Sequence, residues 1–225
     1  MISMKERTEK TKKWFKQNFA NLVTVTGVIF AFLFLRTAVM ESSNITKQII
    51  YALLTAITDF IDGKIARDTN TVSNFGSYID RIRDRIFVYP SIVILGWQHK
   101  EKIVFPELLV CLMVSLAFFE ILILRIGYIG YKWHRKGKDI NLQPNDFGKK
   151  KIFAGFSTIL IWLVSLWLEC KEIAFLKYSM WIIYLGLLLM TYWSYVSWKE
   201  YAIREINYRK ADAEGKVLSK NNKTQ

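Results

Sequence analysis

Apolar residues gather into six long runs along this chain, with short polar or basic stretches between them. The runs cover roughly Asn21 to Val39, Lys47 to Arg67, Gly76 to Trp97, Val104 to Tyr131, Ile152 to Leu168 and Phe175 to Trp198. A helix needs about 20 apolar residues to cross the hydrocarbon core of a bilayer. Each run is near that length, and with three prolines in the chain few breakers interrupt them. The pattern predicts an all-α polytopic membrane protein with six transmembrane helices. The second run scores poorly on plain hydropathy because Asp59 and Asp62 fall inside it. The fourth is long enough to tilt or to project beyond the bilayer. Ahead of the first span, residues 1–18 read as a basic interfacial helix, with Lys5, Arg7, Lys10, Lys12, Lys13 and Lys16 toward headgroups and Trp14 and Phe15 available for burial. This stretch is too polar to be a cleaved signal peptide, so the following run should remain as an anchor.

Composition sharpens the picture. A chain of 225 residues, 52% hydrophobic and 15% aromatic, fits one membrane domain over residues 19–198, followed by a charged tail over 199–225. The net charge of +13 raises the question of a nucleic-acid partner. The cations answer it by their distribution: they stand in blocks between and beyond the apolar runs, where anionic lipid headgroups lie, so the expected partner is the bilayer and no nucleic acid. Six lie in the leader, seven between Lys132 and Lys151 and seven from Lys199 onward, while Lys64, Arg67, Arg81, Arg83 and Arg85 flank the second turn. The three opposite loops carry few. Cytoplasmic loops hold the excess of Lys and Arg, so both termini should face the cytoplasm, N-in and C-in. Cys111 and Cys170 lie in different segments and suggest neither a disulfide framework nor a zinc site. His99 and His134 have no partner at catalytic spacing.

The chemistry concentrates between Asp59 and Asp84, DFIDGKIARDTNTVSNFGSYIDRIRD. Charged groups inside membrane segments are functional candidates by default, because each is costly unless paired, hydrated or bound to a cation. On a helix, Asp59, Asp62, Gly63 and Ala66 share one stripe, and Gly76, Asp80 and Asp84 step by four along a face of the next. With a rise of about 1.5 Å per residue, Asp62 and Asp80 lie roughly 6 to 8 Å inside the intervening turn, and Asp59 and Asp84 about 12 Å inside. An antiparallel pair therefore brings the four together as two level pairs. Gly63, Ala66 and Gly76 let two backbones, or a ligand, come close. Pairing with Arg67, Arg81, Arg83 and Arg85 balances the charge but leaves the spacing and the small residues unexplained. Hard divalent cations account for both, and Mg²⁺ suits a few carboxylates completed by waters and substrate phosphates.

Asp59, Asp62-Gly63, Ala66-Arg67, Gly76, Asp80 and Asp84 match without gap or substitution the DxxDGxxAR(x8)GxxxDxxxD signature, and the chain thereby resembles the CDP-alcohol phosphotransferase (CDP-alcohol phosphatidyltransferase) family. The resemblance implies six helices, a homodimer, and two Mg²⁺ or Mn²⁺ ions held by Asp59, Asp62, Asp80 and Asp84. It further implies that Asp84 takes the proton of the acceptor hydroxyl and that Arg67 binds the donor's phosphate. Asn21 and Thr24, in an Asn21-x-x-Thr24-x-x-Gly27 entry to the first span, are similar to the family's nucleotide-pocket residues, which join Asp59, Gly63, Ala66, Arg67 and Gly76 in donor binding.

The activity so implied is transfer of the phosphatidyl group of CDP-diacylglycerol to a small polar acceptor, with release of CMP, at the cytoplasmic face of what is expected to be a bacterial cell membrane. Gly148-Lys149-Lys150-Lys151 resembles the GKxK of phosphatidylglycerophosphate synthases, and Glu120 their fourth-helix glutamate. This favours glycerol 3-phosphate, with Arg125, Lys149 and Lys151 binding the acceptor. Several residues depart from that type: Phe119 stands for Arg, Arg125 is displaced by two positions, Ile152 replaces Thr, and Arg81, Arg83 and Arg85 replace the DPxADK pattern. Asp84-Arg85 is similar to the inositol-type enzymes. Inositol phosphate is thus the second acceptor, serine or inositol the third, and a CDP-choline or CDP-ethanolamine donor stays open. A cation transporter is the alternative class; it calls for acidic residues spread along a path and often repeat symmetry, whereas these aspartates lie toward one face. A structural membrane protein would tolerate Asp to Asn changes freely.

Overall fold

A computed structural model describes residues 4–68, 74–135, 145–173 and 175–214, with side chains described from Leu22 to Ile65 and from Arg83 onward apart from His134. Six α-helices follow one another: α1 Met4–Met40, α2 Ile45–Asp68, α3 Asn74–Gln98, α4 Pro106–Arg135, α5 Asp146–Glu169 and α6 Leu176–Ala213, with one 3₁₀ turn at Lys100–Lys102. Among the described residues, Leu22–Met40, Pro106–Trp133, Asp146–Glu169 and Leu176–Ala213 are long and apolar enough to cross a membrane. Helices α2 and α3 have 24 and 25 residues, about 36 Å each, which is sufficient length. In α2, Lys47, Asp59, Asp62 and Lys64 lower the hydropathy.

Three boundaries differ from the sequence expectation. The basic leader is not a separate helix but the first turns of α1, which has no proline and meets its first glycine at Gly27. Helix α5 begins at Asp146, ahead of the apolar run, because Asn145 caps it: its Oδ1 accepts the Gly148 N–H at 3.0 Å. Helix α6 continues through the charged tail to Ala213, supported by pairs such as Arg209 with Glu205 at i,i+4.

The helices fall into two compact units. In the first, which comprises residues 1–104 and 158–180, α1 packs on α2 and α3. Thr24, Gly27, Ala31, Phe34 and Ala38 line the buried face of α1, mostly small residues at i, i+3 and i+4 steps that let the neighbouring helices approach. The Phe34 and Phe87 rings lie 5.1 Å apart, and the Gln98 side-chain amide donates to the Ala38 carbonyl at 2.5 Å. Polarity in α2 is inside out. Gln48, Thr55, Thr58 and Asp62 are buried, while Ile50, Leu53, Ile57, Phe60 and Ile61 are exposed. That is the pattern of a helix with lipid on its outer side and a polar site on its inner side.

The second unit holds residues 105–157 and 181–225. Leu109, Leu116, Glu120 and Ile123 form the buried stripe of α4. The Tyr184 hydroxyl donates to the Phe105 carbonyl at 2.9 Å, and the Phe105 N–H donates back to it at 3.1 Å. Asn145 also ties α5 to α6: its Nδ2 donates to the Ser197 carbonyl and to Glu200, and its Oδ1 accepts from the Ser197 hydroxyl.

Candidate functional site

Helices α2 and α3 bring three of the four aspartates onto one side chain. Asp59 and Asp62 descend from α2, and Arg83 and Asp84 stand at adjacent positions on α3. The Arg83 guanidinium is fully buried; its Nη1 donates to Asp62 Oδ2 at 3.1 Å, and its Nη2 to Asp84 Oδ1 at 3.4 Å and to Asp59 Oδ1. Asp59 and Asp84, level with each other by helical spacing, thus meet at the same nitrogen. Asp62 is buried, Asp84 mostly so and Asp59 about half exposed, so the group is open on the Asp59 side.

Helix α1 closes the other side. The Thr24 hydroxyl hydrogen-bonds to Asp62. Gly27 is a close-approach position: a Cβ there would lie 2.7 Å from Thr58 Oγ1 and 3.1 Å from Arg83 Nη1. Thr58 cannot easily yield, because its hydroxyl bonds back to the Leu54 and Thr55 carbonyls at 2.9 Å. The Asn21-x-x-Thr24-x-x-Gly27 pattern therefore supplies one hydrogen bond and one gap to this site.

Other predicted residues are placed as follows. Gly63 follows Asp62 on α2 and is half-buried. Ala66 and Arg67 lie in the last turns of α2, Gly76 and Asp80 in the first turns of α3, and Asn21 in α1, and the side chains at all five positions lie outside the described residues. Lys149 and Lys151 are separated in role. Lys149 is exposed and 3.3 Å from Asp146, whereas Lys151 is buried and paired with Glu120. Arg125 is exposed on α4. Gly148 serves the α5 cap, since a Cβ would sit 3.1 Å from Asn145 Oδ1. Arg83 is the residue whose place sequence reading missed. Its position three after Asp80 and four before the buried Phe87 carried the signal, for it falls on the same face of α3 as the aspartates.

The donor set is all carboxylate oxygen, the chemistry Mg²⁺ and Mn²⁺ prefer. Three of these carboxylates share one guanidinium. Asp62 Oδ1 is buried with no hydrogen-bond partner among the described residues. These residues fit a divalent cation, although no group of three or more acidic, His or Cys side chains among the described residues is already arranged as a cation cage. Arg83 stands among them, and the Asp80 side chain lies outside the described residues.

Fold and site together define a multi-pass helical membrane protein with a buried carboxylate cluster between two of its helices. The chain belongs to the CDP-alcohol phosphatidyltransferase family, whose profile matches residues 17–193, and so to a family of transferases. It is similar to the Streptomyces coelicolor protein named cardiolipin synthase (CMP-forming), 28% identical over 83 residues, which are 36% of this chain and 39% of that one. It is also similar to the Aquifex aeolicus CDP-diacylglycerol–glycerol-3-phosphate 3-phosphatidyltransferase, 28% identical over 86 residues, 38% of this chain and 47% of that one. The match thus spans less than half the length of either relative. No solved structure matches the chain.

Proposed function

We propose that the protein transfers the phosphatidyl group of CDP-diacylglycerol to the hydroxyl of a small polar acceptor, glycerol 3-phosphate being the favoured one, and releases CMP. The observation that carries this reading is the convergence of Asp59, Asp62 and Asp84, from two helices of the matched family segment, on one buried point. Asp59, Asp62, Asp80 and Asp84 are the residues to hold two Mg²⁺ or Mn²⁺ ions, which when bound supply charge neutralisation and polarisation at the attacked phosphorus. Asp84 accepts the acceptor's hydroxyl proton, a task for which a carboxylate is a weak base, so it works on a hydroxyl already acidified or firmly positioned. Arg67 binds the donor phosphate bidentately, and Asn21, Thr24, Gly63, Ala66 and Gly76 line the donor's place. Lys149, Lys151 and Arg125 take the acceptor phosphate. The name of the Aquifex relative supports glycerol 3-phosphate, and that of the Streptomyces relative supports CMP release and a second reading, in which the acceptor is itself a lipid and the product cardiolipin.

The protein works in this reading as a homodimer with six spans, both termini and the aspartates facing the cytoplasm. The deciding experiment incubates purified protein with CDP-diacylglycerol, Mg²⁺ or Mn²⁺ and, separately, glycerol 3-phosphate, inositol phosphate, inositol, serine and phosphatidylglycerol, and identifies the lipid product by mass spectrometry. A phosphatidylglycerophosphate product with CMP is expected. Turnover of none of them, or full activity in excess chelator, would refute the reading.

A further inference from the structure

Arg83 contributes no donor hydrogen to solvent. Its side chain is fully buried, and it bonds to Asp59, Asp62 and Asp84 at once. Helix α1 is built around it, because Gly27 leaves the space that its Nη1 and Cδ occupy; a Cβ at Gly27 would approach them to 3.1 and 3.3 Å. An arginine accommodated by a neighbouring backbone and shared by three carboxylates is a designed counter-ion rather than a surface charge folded inward. We propose that Arg83 is the resident cation of the carboxylate cluster, neutralising it in the metal-free protein, and that a divalent ion binds these carboxylates by displacing the guanidinium from them. This rests on the divalent-metal reading above and adds to it a competition built into the chain.

The physical basis is occupancy and charge. Each carboxylate oxygen that accepts from Arg83 points its lone pair at nitrogen, and a cation needs the same lone pairs at about 2.0–2.6 Å. Guanidinium and metal therefore compete for the oxygens that Arg83 now holds and for the space between the two helices. Asp62 Oδ1, buried and without a hydrogen-bond partner among the described residues, is an oxygen that an ion entering from the Asp59 side can take without breaking a bond to Arg83. A divalent ion brings twice the charge of the guanidinium to the same carboxylates, which supplies the attraction. Displacement also ties metal loading to a rearrangement of α3 side chains next to Asp84.

The test compares detergent-purified wild type, Arg83→Gln and Arg83→Lys by Mn²⁺ binding, read from the loss of the free-ion paramagnetic resonance signal, and by thermal unfolding with and without EDTA. Arg83→Gln should bind Mn²⁺ about tenfold or more tightly than wild type, in the range of coupling between competing ligands, with Arg83→Lys between them. Wild type should unfold only slightly lower in EDTA than in Mn²⁺, because Arg83 takes the ion's place, whereas Arg83→Gln should unfold well below wild type in EDTA and recover in Mn²⁺. Equal Mn²⁺ affinity in wild type and Arg83→Gln overturns the proposal and leaves the metal reading standing. Should Arg83→Gln fail to fold, wild type against Arg83→Lys decides, and equal affinity there overturns it. Absence of Mn²⁺ binding in every variant, with chelator-resistant product formation, removes the metal reading and this proposal with it.

Discussion

Asp84 differs from its neighbours in what surrounds it: Asp62 is buried against Thr24 and Arg83, whereas Asp84 keeps one-fifth of its side chain accessible and shares Arg83 at a longer 3.4 Å. In the proposed reaction Asp84 receives the proton of the entering hydroxyl, and its partial exposure is compatible with that role. Asp84→Asn should lower turnover by roughly 10² to 10⁴, the contribution of a general base, while donor binding survives. Asp59→Asn should weaken donor binding as well, and unchanged turnover in Asp84→Asn would show that another group takes the proton. Lys151 and Lys149 can be separated in the same way. Lys151 is held by Glu120 inside the protein, and Lys149 is at the surface, so Lys151→Ala should raise the acceptor KM more than Lys149→Ala does; equal KM values in both variants and wild type would return the lysines to an orienting, lipid-facing role. The aspartates were legible in the sequence because a carboxylate in an apolar run is anomalous on its own. Arg83 was legible only as a position on the aspartates' face of α3; periodicity does not say that its guanidinium bonds to the carboxylates of another helix.

Two glycines at the scale of the helix offer a controlled contrast. Gly27 meets Thr58 and Arg83, whereas nothing lies within 4 Å of a Cβ at Gly127 on α4. Overpacking costs about 1–3 kcal/mol, and alanine in an exposed helix gains about 1 kcal/mol over glycine. Gly27→Ala should therefore lower the unfolding temperature and Gly127→Ala should not; a matching loss in both would deny Gly27 its packing role. Most helices were readable from apolar runs, yet their ends were not. The runs placed the fifth span at Ile152, six residues late, because α5 starts with the polar turn Asp146-Phe147-Gly148 under the Asn145 cap, and hydropathy is blind to capping. It likewise split α1 at the point where lysines give way to leucines, although composition changes there and backbone conformation does not.

For the molecule as a whole, the six-span reading makes a topological claim that one cysteine can check. Cys170 is exposed in the turn between α5 and α6, which that reading assigns to the face opposite the basic blocks, and Cys111 lies within α4. In intact cells a membrane-impermeant maleimide should label Cys170 in a Cys111→Ser background, and labelling only after lysis would invert the orientation. The inside-out α2 then bears on how such a protein is made. A charged residue at mid-bilayer depth costs about 2.5–3.5 kcal/mol on insertion scales, and α2 carries Asp59 and Asp62 and α3 Arg83 and Asp84. Each is a poor candidate to leave the translocation channel alone. Partition into lipid becomes favourable for the pair once Arg83 of the later helix has met Asp59 and Asp62 of the earlier one. In the six-span reading, biogenesis is thereby coupled to assembly of the carboxylate cluster: the ribosome must deliver α3 before α2 can commit to the membrane, and the two enter as a single hairpin.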